Sequence, residues 1–227
     1  ELGEYAWTNT SGENINAEKT TSFDIGYETY FDSLNLGFNI TYFDILVEDP
    51  IMGSNITSFQ DNVPGAENKS KGIELSTSWT DNKKLNIGFN YTLTKSYSGM
   101  DCDKPEKDKW GYTSCLDSGH GWLESAIVRV PIHALSSKIN YQFNNDLDGS
   151  LMLTYKGRTR DYGGTDYAFK DQILDEYFLV DLKSSYKLFE GYNLDFSVKN
   201  LFDKNYENSL DYSGTPRTMN IGLTIAY

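Results

Sequence analysis

Apolar and polar residues alternate strictly for roughly ten residues at a time, and the pattern recurs along almost the whole chain. Few other features narrow the possible folds so sharply. A β-strand turns successive side chains to opposite faces, so a period of two is the pattern that half-buried strands leave in a sequence. From Thr20, Phe23, Ile25, Tyr27, Thr29 and Phe31 interleave with Asp24, Gly26, Glu28 and Tyr30. Leu34, Leu36, Phe38, Ile40 and Tyr42 repeat the pattern, as do Ile73, Leu75, Thr77 and Trp79, and then Leu85, Ile87, Phe89, Tyr91 and Leu93. Further runs occupy Leu135 to Phe143, Leu147 to Arg158, Val180 to Leu188, Leu194 to Lys199 and Thr218 to Tyr227. These make nine strands, antiparallel if each connects to the next.

The connections alternate in length. Short links fall at 32–33, 81–84, 144–146 and 189–191, and long ones at 48–68, 97–127, 159–176 and 203–216. A soluble sandwich has no physical reason to keep that asymmetry, whereas an outer-membrane barrel joins its strands by short turns on one side and long loops on the other. The alternating stretches run about 9 to 13 residues. A tilted strand needs about 9 to 11 to cross a bilayer, while soluble strands are commonly about 5 to 6. Aromatic residues make up 15% of the chain. Tyr27, Phe31, Tyr42, Tyr91, Tyr141, Phe143, Tyr155, Tyr186, Phe189 and Tyr192 lie near strand ends, where amphipathic rings suit a bilayer interface. The expected fold is therefore all-β, an antiparallel up-and-down transmembrane β-barrel. The alternative is a secreted soluble β-sandwich binding module, which places the same apolar set in a core and the polar set in water. The triplets at Asn9, Asn55 and Asn68 match glycosylation sequons, but the same triplet at Asn39 and Asn90 falls mid-strand.

Composition removes other classes. The longest apolar run, Tyr177 to Val180, is far below the ~18 residues of a membrane helix. A formal charge of −13 without a Lys/Arg cluster repels phosphate backbones, so nucleic acid is not an expected partner. The chain opens at Glu1 without Met, as a processed protein or a piece of a longer one would.

The C-terminal region carries a more specific pattern. Asn200-Leu201-Phe202-Asp203-Lys204-Asn205-Tyr206, then Gly214-Thr215-Pro216-Arg217 and a last strand ending in Tyr227, resembles the end of a TonB-dependent outer-membrane receptor. The family's Pro-Gly-Arg element stands here as Thr-Pro-Arg with the glycine displaced to Gly214. Asn14 to Glu28, Lys71-Gly72-Ile73-Glu74-Leu75 and Arg129-Val130-Pro131-Ile132-His133 resemble further family segments, so the resemblance covers roughly 14–227. It implies about nine C-terminal strands of a barrel that has 22 in the family, with the plug domain and TonB box absent from this chain. It also implies residence in the bacterial outer membrane, contact with lipid bilayer and lipopolysaccharide, and coupling to the TonB complex through the missing N-terminal part. Tyr227 resembles the signal read by the barrel-assembly machinery. The implied activity is energised uptake of a scarce, bulky ligand such as a ferric siderophore, haem or cobalamin.

The segment 97–127 is expected to be a long extracellular loop. It holds the only cysteines, Cys102 and Cys115. In an oxidising envelope they point to a disulfide worth about 3 kcal/mol on the chain-entropy model. A metal site is the rival, yet two thiols and His120 lack zinc-like spacing. Asp101, Asp103, Asp108 and Asp117 present oxygens to a divalent cation, but Lys104, Lys107 and Lys109 neutralise much of that stretch, which reads as solvated loop. No metal or cofactor is expected. Trp110, Tyr112 and Trp122, with Arg160, Tyr162 and Tyr167 of the following long loop, are the candidate ligand-binding residues. Packing of the loops on themselves is the competing use for those rings. His120 and His133 are the only imidazoles and neither adjoins a nucleophile motif, so no catalytic residue and no enzyme activity is expected.

Overall fold

The computed structural model describes residues 17–53, 60–62, 66–100, 105–107, 113–115, 124–127, 129–163 and 170–226. Nine long strands run Lys19–Phe31 (β1), Leu36–Glu48 (β2), Ala66–Thr80 (β3), Leu85–Met100 (β4), His133–Gln142 (β5), Leu147–Lys156 (β6), Tyr177–Phe189 (β7), Tyr192–Lys199 (β8) and Thr218–Ile225 (β9). They lie side by side in one sheet in chain order, β1 through β9, without a crossover. From β4 onward each neighbouring pair is antiparallel and in continuous register, broken only by a bulge between Lys187 and Phe189.

Two sequence expectations about boundaries are corrected. β2 continues to Glu48, β3 begins at Ala66 and β4 reaches Met100, so pairing persists into segments read as loop. Ladder hydrogen bonds join backbone groups, so a strand need not stop where its apolar alternation does. The long connections also contain short hairpins: Ile51–Gly53 with Gln60–Asn62, Pro105–Lys107 with Thr113–Cys115, Thr159–Gly163 with Lys170–Leu174, and Glu207–Ser209 with Tyr212–Ser213. Leu34, expected in β2, instead ends the 3-10 turn Asp32–Leu34, which Asn35 closes at φ 49°.

The chain separates into two compact units, one of residues 1–24, 43–71 and 95–127 and a larger one of 25–42, 72–94 and 128–227. In the smaller unit Glu124–Ala126 pairs with the Tyr97–Gly99 end of β4, and the Ile51 N–H donates to Glu18 Oε1 at 2.7 Å.

In the larger unit the register sorts side chains as the alternation requires. Ile87, Ile139, Leu151, Leu182 and Val198 align across β4 to β8 on one face. Ser150, Lys183, Ser197 and Asn220 align on the other. Among the described residues the buried hydrophobic side chains are Leu174, Tyr177, Val180 and Val198, while the apolar face elsewhere lies open, with Ile221 76% exposed. That face has no second protein layer among the described residues, in contrast to the packed sheets of a sandwich.

The tight turns are held locally. Asp81 accepts the backbone N–H groups of Lys83, Lys84 and Leu85, each at 2.8 Å. The bonds from Leu85 and Lys83 hold its carboxyl below the usual carboxylate range. Asn144 Oδ1 accepts from Asp146 and Leu147 in the same manner, both at 2.9 Å. Gly191 turns β7 into β8 at φ 77°, where a Cβ would stand 2.6 Å from the Ala226 carbonyl oxygen.

Candidate functional site

In an antiparallel meander the connections β4–β5, β6–β7 and β8–β9 leave the same end of the sheet. Here they converge on one carboxylate. Asp161, in the Thr159–Gly163 strand, is 1% exposed. Its Oδ1 accepts from Arg129 Nε at 2.9 Å, and its Oδ2 accepts from Ser209 Oγ at 3.0 Å and the Leu210 N–H at 2.8 Å. The buried charge is thus matched by a cation and two further donors, as an ion removed from water requires. Arg129 is positioned by its own backbone: it sits at φ 64°, and its N–H donates to the Arg160 carbonyl at 2.8 Å.

A second layer of contacts surrounds this clasp. Tyr177 Oη donates to Asn208 Oδ1 at 2.8 Å, and Lys156 Nζ, 5.9 Å from the Tyr177 ring centre, donates to the Asn208 carbonyl at 3.3 Å. Tyr206 lies against Tyr177 with ring centres 4.5 Å apart. Gly214 lies against the Tyr206 ring, and a Cβ there would enter the ring. The displaced glycine of the C-terminal pattern therefore has a packing reason.

Asn200 anchors the same connection. It is 3% exposed at φ 50°, and its N–H donates to Asp181 Oδ1 at 2.8 Å. Its side-chain amide donates to the Lys204 and Thr215 carbonyls at 2.9 and 3.1 Å, while its Oδ1 accepts the Lys204 N–H at 2.8 Å. Asp203 Oδ1 accepts the Arg217 N–H at 2.8 Å. The Asn-Leu-Phe-Asp-Lys pattern folds a connection back onto the sheet end, and Asn is suited to a left-handed position because its short amide bonds locally.

Of the candidate ligand-binding residues, Arg160 is half-buried beside Asp161, and its carbonyl holds Arg129. Tyr162 pairs through its backbone with Asp171 in the same hairpin. Trp110, Tyr112, Trp122, Tyr167 and Tyr227 lie outside the described residues. Cys115 pairs through its backbone with Pro105, whereas Cys102 lies outside the described residues, and the expected cross-link is not a feature of the described chain. No metal-ligand group of three His, Cys, Asp or Glu occurs among the described residues. Sequence reasoning passed over Arg129, Asp161 and Ser209 as site residues. They lie 32 and 48 positions apart, beyond any local period, and the one usable signal was the motif character of the Arg129 segment. The arrangement is a hydrogen-bonded clasp that ties three connections together at one end of the sheet.

Comparison with known proteins agrees with this geometry. Residues 2–201 match the family model described as TonB dependent receptor-like, beta-barrel. The chain is 24% identical over 211 residues to the vitamin B12 transporter BtuB of Vibrio cholerae, covering 92% of this chain and 30% of the transporter. It is 22% identical to a probable TonB-dependent siderophore receptor, PirA, of Acinetobacter baumannii, covering 84% of this chain and 27% of that receptor. Among solved structures, FpvA of P. aeruginosa bound to heterologous pyoverdines superposes with a TM-score of 0.71 at 18% identity, over 97% of this chain and 29% of that one. The ferric-catecholate import receptor Fiu of E. coli K12 gives 0.69 at 18% identity, over 96% and 29%. The chain thus spans about three-tenths of the length of these relatives.

Proposed function

Because the chain belongs to the TonB-dependent receptor-like β-barrel family, we propose that it is the C-terminal barrel portion of an outer-membrane receptor that takes up a siderophore or cobalamin-type ligand. The observation that carries this reading is the single-layered sheet, whose apolar face lies open while its polar face carries Ser, Asn, Asp and Lys. Such a sheet buries its apolar side in lipid and its polar side around a wet lumen. A soluble β-sandwich binding module would need a second sheet over Ile221, Leu182 and Leu151.

Ligand capture is assigned to the loops at the clasp end, with Trp110, Tyr112, Trp122, Arg160, Tyr162 and Tyr167 as contacts. Energy would come from the TonB complex through an N-terminal portion outside this chain. Tyr227 would serve recognition by the barrel-assembly machinery, and the apolar face would meet bilayer and lipopolysaccharide.

The test is uptake by cells producing the full-length receptor, offered radioiron as a ferric catecholate or radiolabelled cyanocobalamin, with and without the TonB complex. Uptake of one probe that requires both receptor and energising complex is expected. Uptake of neither, from cells whose receptor runs as a heat-modifiable barrel larger than 25.8 kDa, would refute the reading.

A further inference from the structure

We infer that the short-turn end of the sheet is one hydrogen-bonded belt, centred on the β3–β4 turn, which fixes the spacing of the strands there so that the turns open together rather than singly. The inference goes beyond the uptake reading and does not depend on which ligand is taken up.

Each tight turn is bonded to the next. In the β1–β2 turn Asn35 accepts at both of its oxygens, at Oδ1 from Asn82 Nδ2 at 2.9 Å and at its carbonyl from the Thr80 N–H at 3.3 Å. On the other flank of the β3–β4 turn, Lys84 Nζ donates to the Phe143 carbonyl at 3.3 Å, and the Lys84 carbonyl accepts the Gln142 N–H at 2.9 Å. The Lys187 N–H then donates to the Asp146 carbonyl at 2.7 Å, and the Ala226 N–H to the Gly191 carbonyl at 2.8 Å. The series runs from the β1–β2 turn to the end of β9, and all of these residues belong to the larger unit.

The β3–β4 turn carries a side-chain link on each flank, and the two linking residues stand two positions apart. Asp81 makes that turn rigid, because its Oδ1 accepts the N–H groups of Lys83, Lys84 and Leu85, each at 2.8 Å. The Asn82 N–H also donates to Thr80 Oγ1 at 3.0 Å. Displacing Asn82 therefore displaces Lys84, and a disturbance on one flank reaches the other. Residue choice points the same way. Asn35 and Asn82 hold left-handed backbone at φ 49° and 60°, where glycine fits at lower cost, and the two carboxamides retained there are the ones that bond to each other. In a barrel that passes a ligand, such a belt keeps the strands from parting at the turn end.

The experiment is hydrogen exchange, resolved at single amides, on the full-length receptor purified in detergent. The reporters are the Thr80 amide on one flank of the β3–β4 turn, the Gln142 amide on the other, and at the clasp end the Leu201 amide, which donates to the Val180 carbonyl at 2.8 Å. Asn82→Gly removes the link to Asn35 without left-handed strain. It should speed exchange at Thr80 roughly 2- to 10-fold, the range of one net hydrogen bond. A cooperative unit should show a comparable factor at Gln142, with Leu201 unchanged. Lys84→Met, which removes the ammonium, should spread in the same way from the other flank. The double variant Asn35→Gly/Asn82→Gly should be no faster than Asn82→Gly, since both partners of one bond are removed. Acceleration at Thr80 alone, or at neither flank, would overturn the inference and leave the turns independent. Equal acceleration at Leu201 would overturn it as a general loosening of the sheet. If Asn82→Gly fails to give a heat-modifiable barrel, Lys84→Met decides the question. Uptake enters none of these readouts, so failure of the belt leaves the uptake reading untouched.

Discussion

Replacing Asn200 tests the C-terminal anchor most directly. Asn200→Ala removes three side-chain hydrogen bonds, two to the carbonyls of Lys204 and Thr215 and one from the Lys204 N–H. Lys204 and Thr215 are exposed, so their backbone groups recover water, and each bond contributes about 1 kcal/mol rather than the full desolvation cost. Alanine at φ 50° adds about 1 kcal/mol of backbone strain that asparagine tolerates better. The total is about 4 kcal/mol, spread over one connection rather than the whole barrel. At 1.4 kcal/mol per decade that is roughly a thousandfold faster opening. Hydrogen exchange by mass spectrometry on the full-length receptor should show it at the Lys204 and Arg217 amides, with β5 and β6 unaffected. Asn200→Gly should be milder by about 1 kcal/mol, because glycine accepts the left-handed backbone. Asn200→Asp should be at least as damaging as Ala at neutral pH, since a carboxylate would face two carbonyl oxygens. Acceleration below about tenfold in the alanine variant, or glycine no better than alanine, would refute this account of the anchor.

Arginine on the two faces of β6 should behave oppositely: Leu151→Arg, on the open apolar face, should cost about 2 to 4 kcal/mol and reduce heat-modifiable barrel, while Ser150→Arg should assemble normally. Asp81 should titrate below its unfolded value of 3.8. With the folded value depressed, its stabilisation of the turn is complete above 3.8 and is lost as pH falls through the folded value. NMR of the labelled receptor would record that midpoint, and a titration at or above 3.8 would contradict the hydrogen bonding seen here. Gly191→Ala should weaken the β7–β8 turn by about 1 to 2 kcal/mol from left-handed strain alone, and more from the approach to Ala226. Its signature would be faster exchange at the Ala226 amide, which donates to the Gly191 carbonyl at 2.8 Å.

The runs around Ile87, Ile139, Leu151, Leu182 and Phe196 were readable because a strand's period is a property of the backbone itself. Any sequence that alternates for ten residues declares both its conformation and its two faces. Turn chemistry was readable for the same local reason: Asp81 and Asn144 bind amides two to four residues away. Strand ends were less readable, and β2, β3 and β4 overran their apolar patterns because pairing obeys neighbouring backbone rather than side-chain hydropathy.

The sequence by itself thus determined the nine alternating runs, the two faces of each and the family pattern around Asn200, while their side-by-side order comes from the structure. Only the tertiary structure decided which loop residues meet. Arg129, Asp161 and Ser209 come from three connections, and nothing in their own neighbourhoods marks them as partners. A buried carboxylate must find donors wherever the fold supplies them, and the antiparallel meander supplies them by delivering alternate connections to the same end of the sheet.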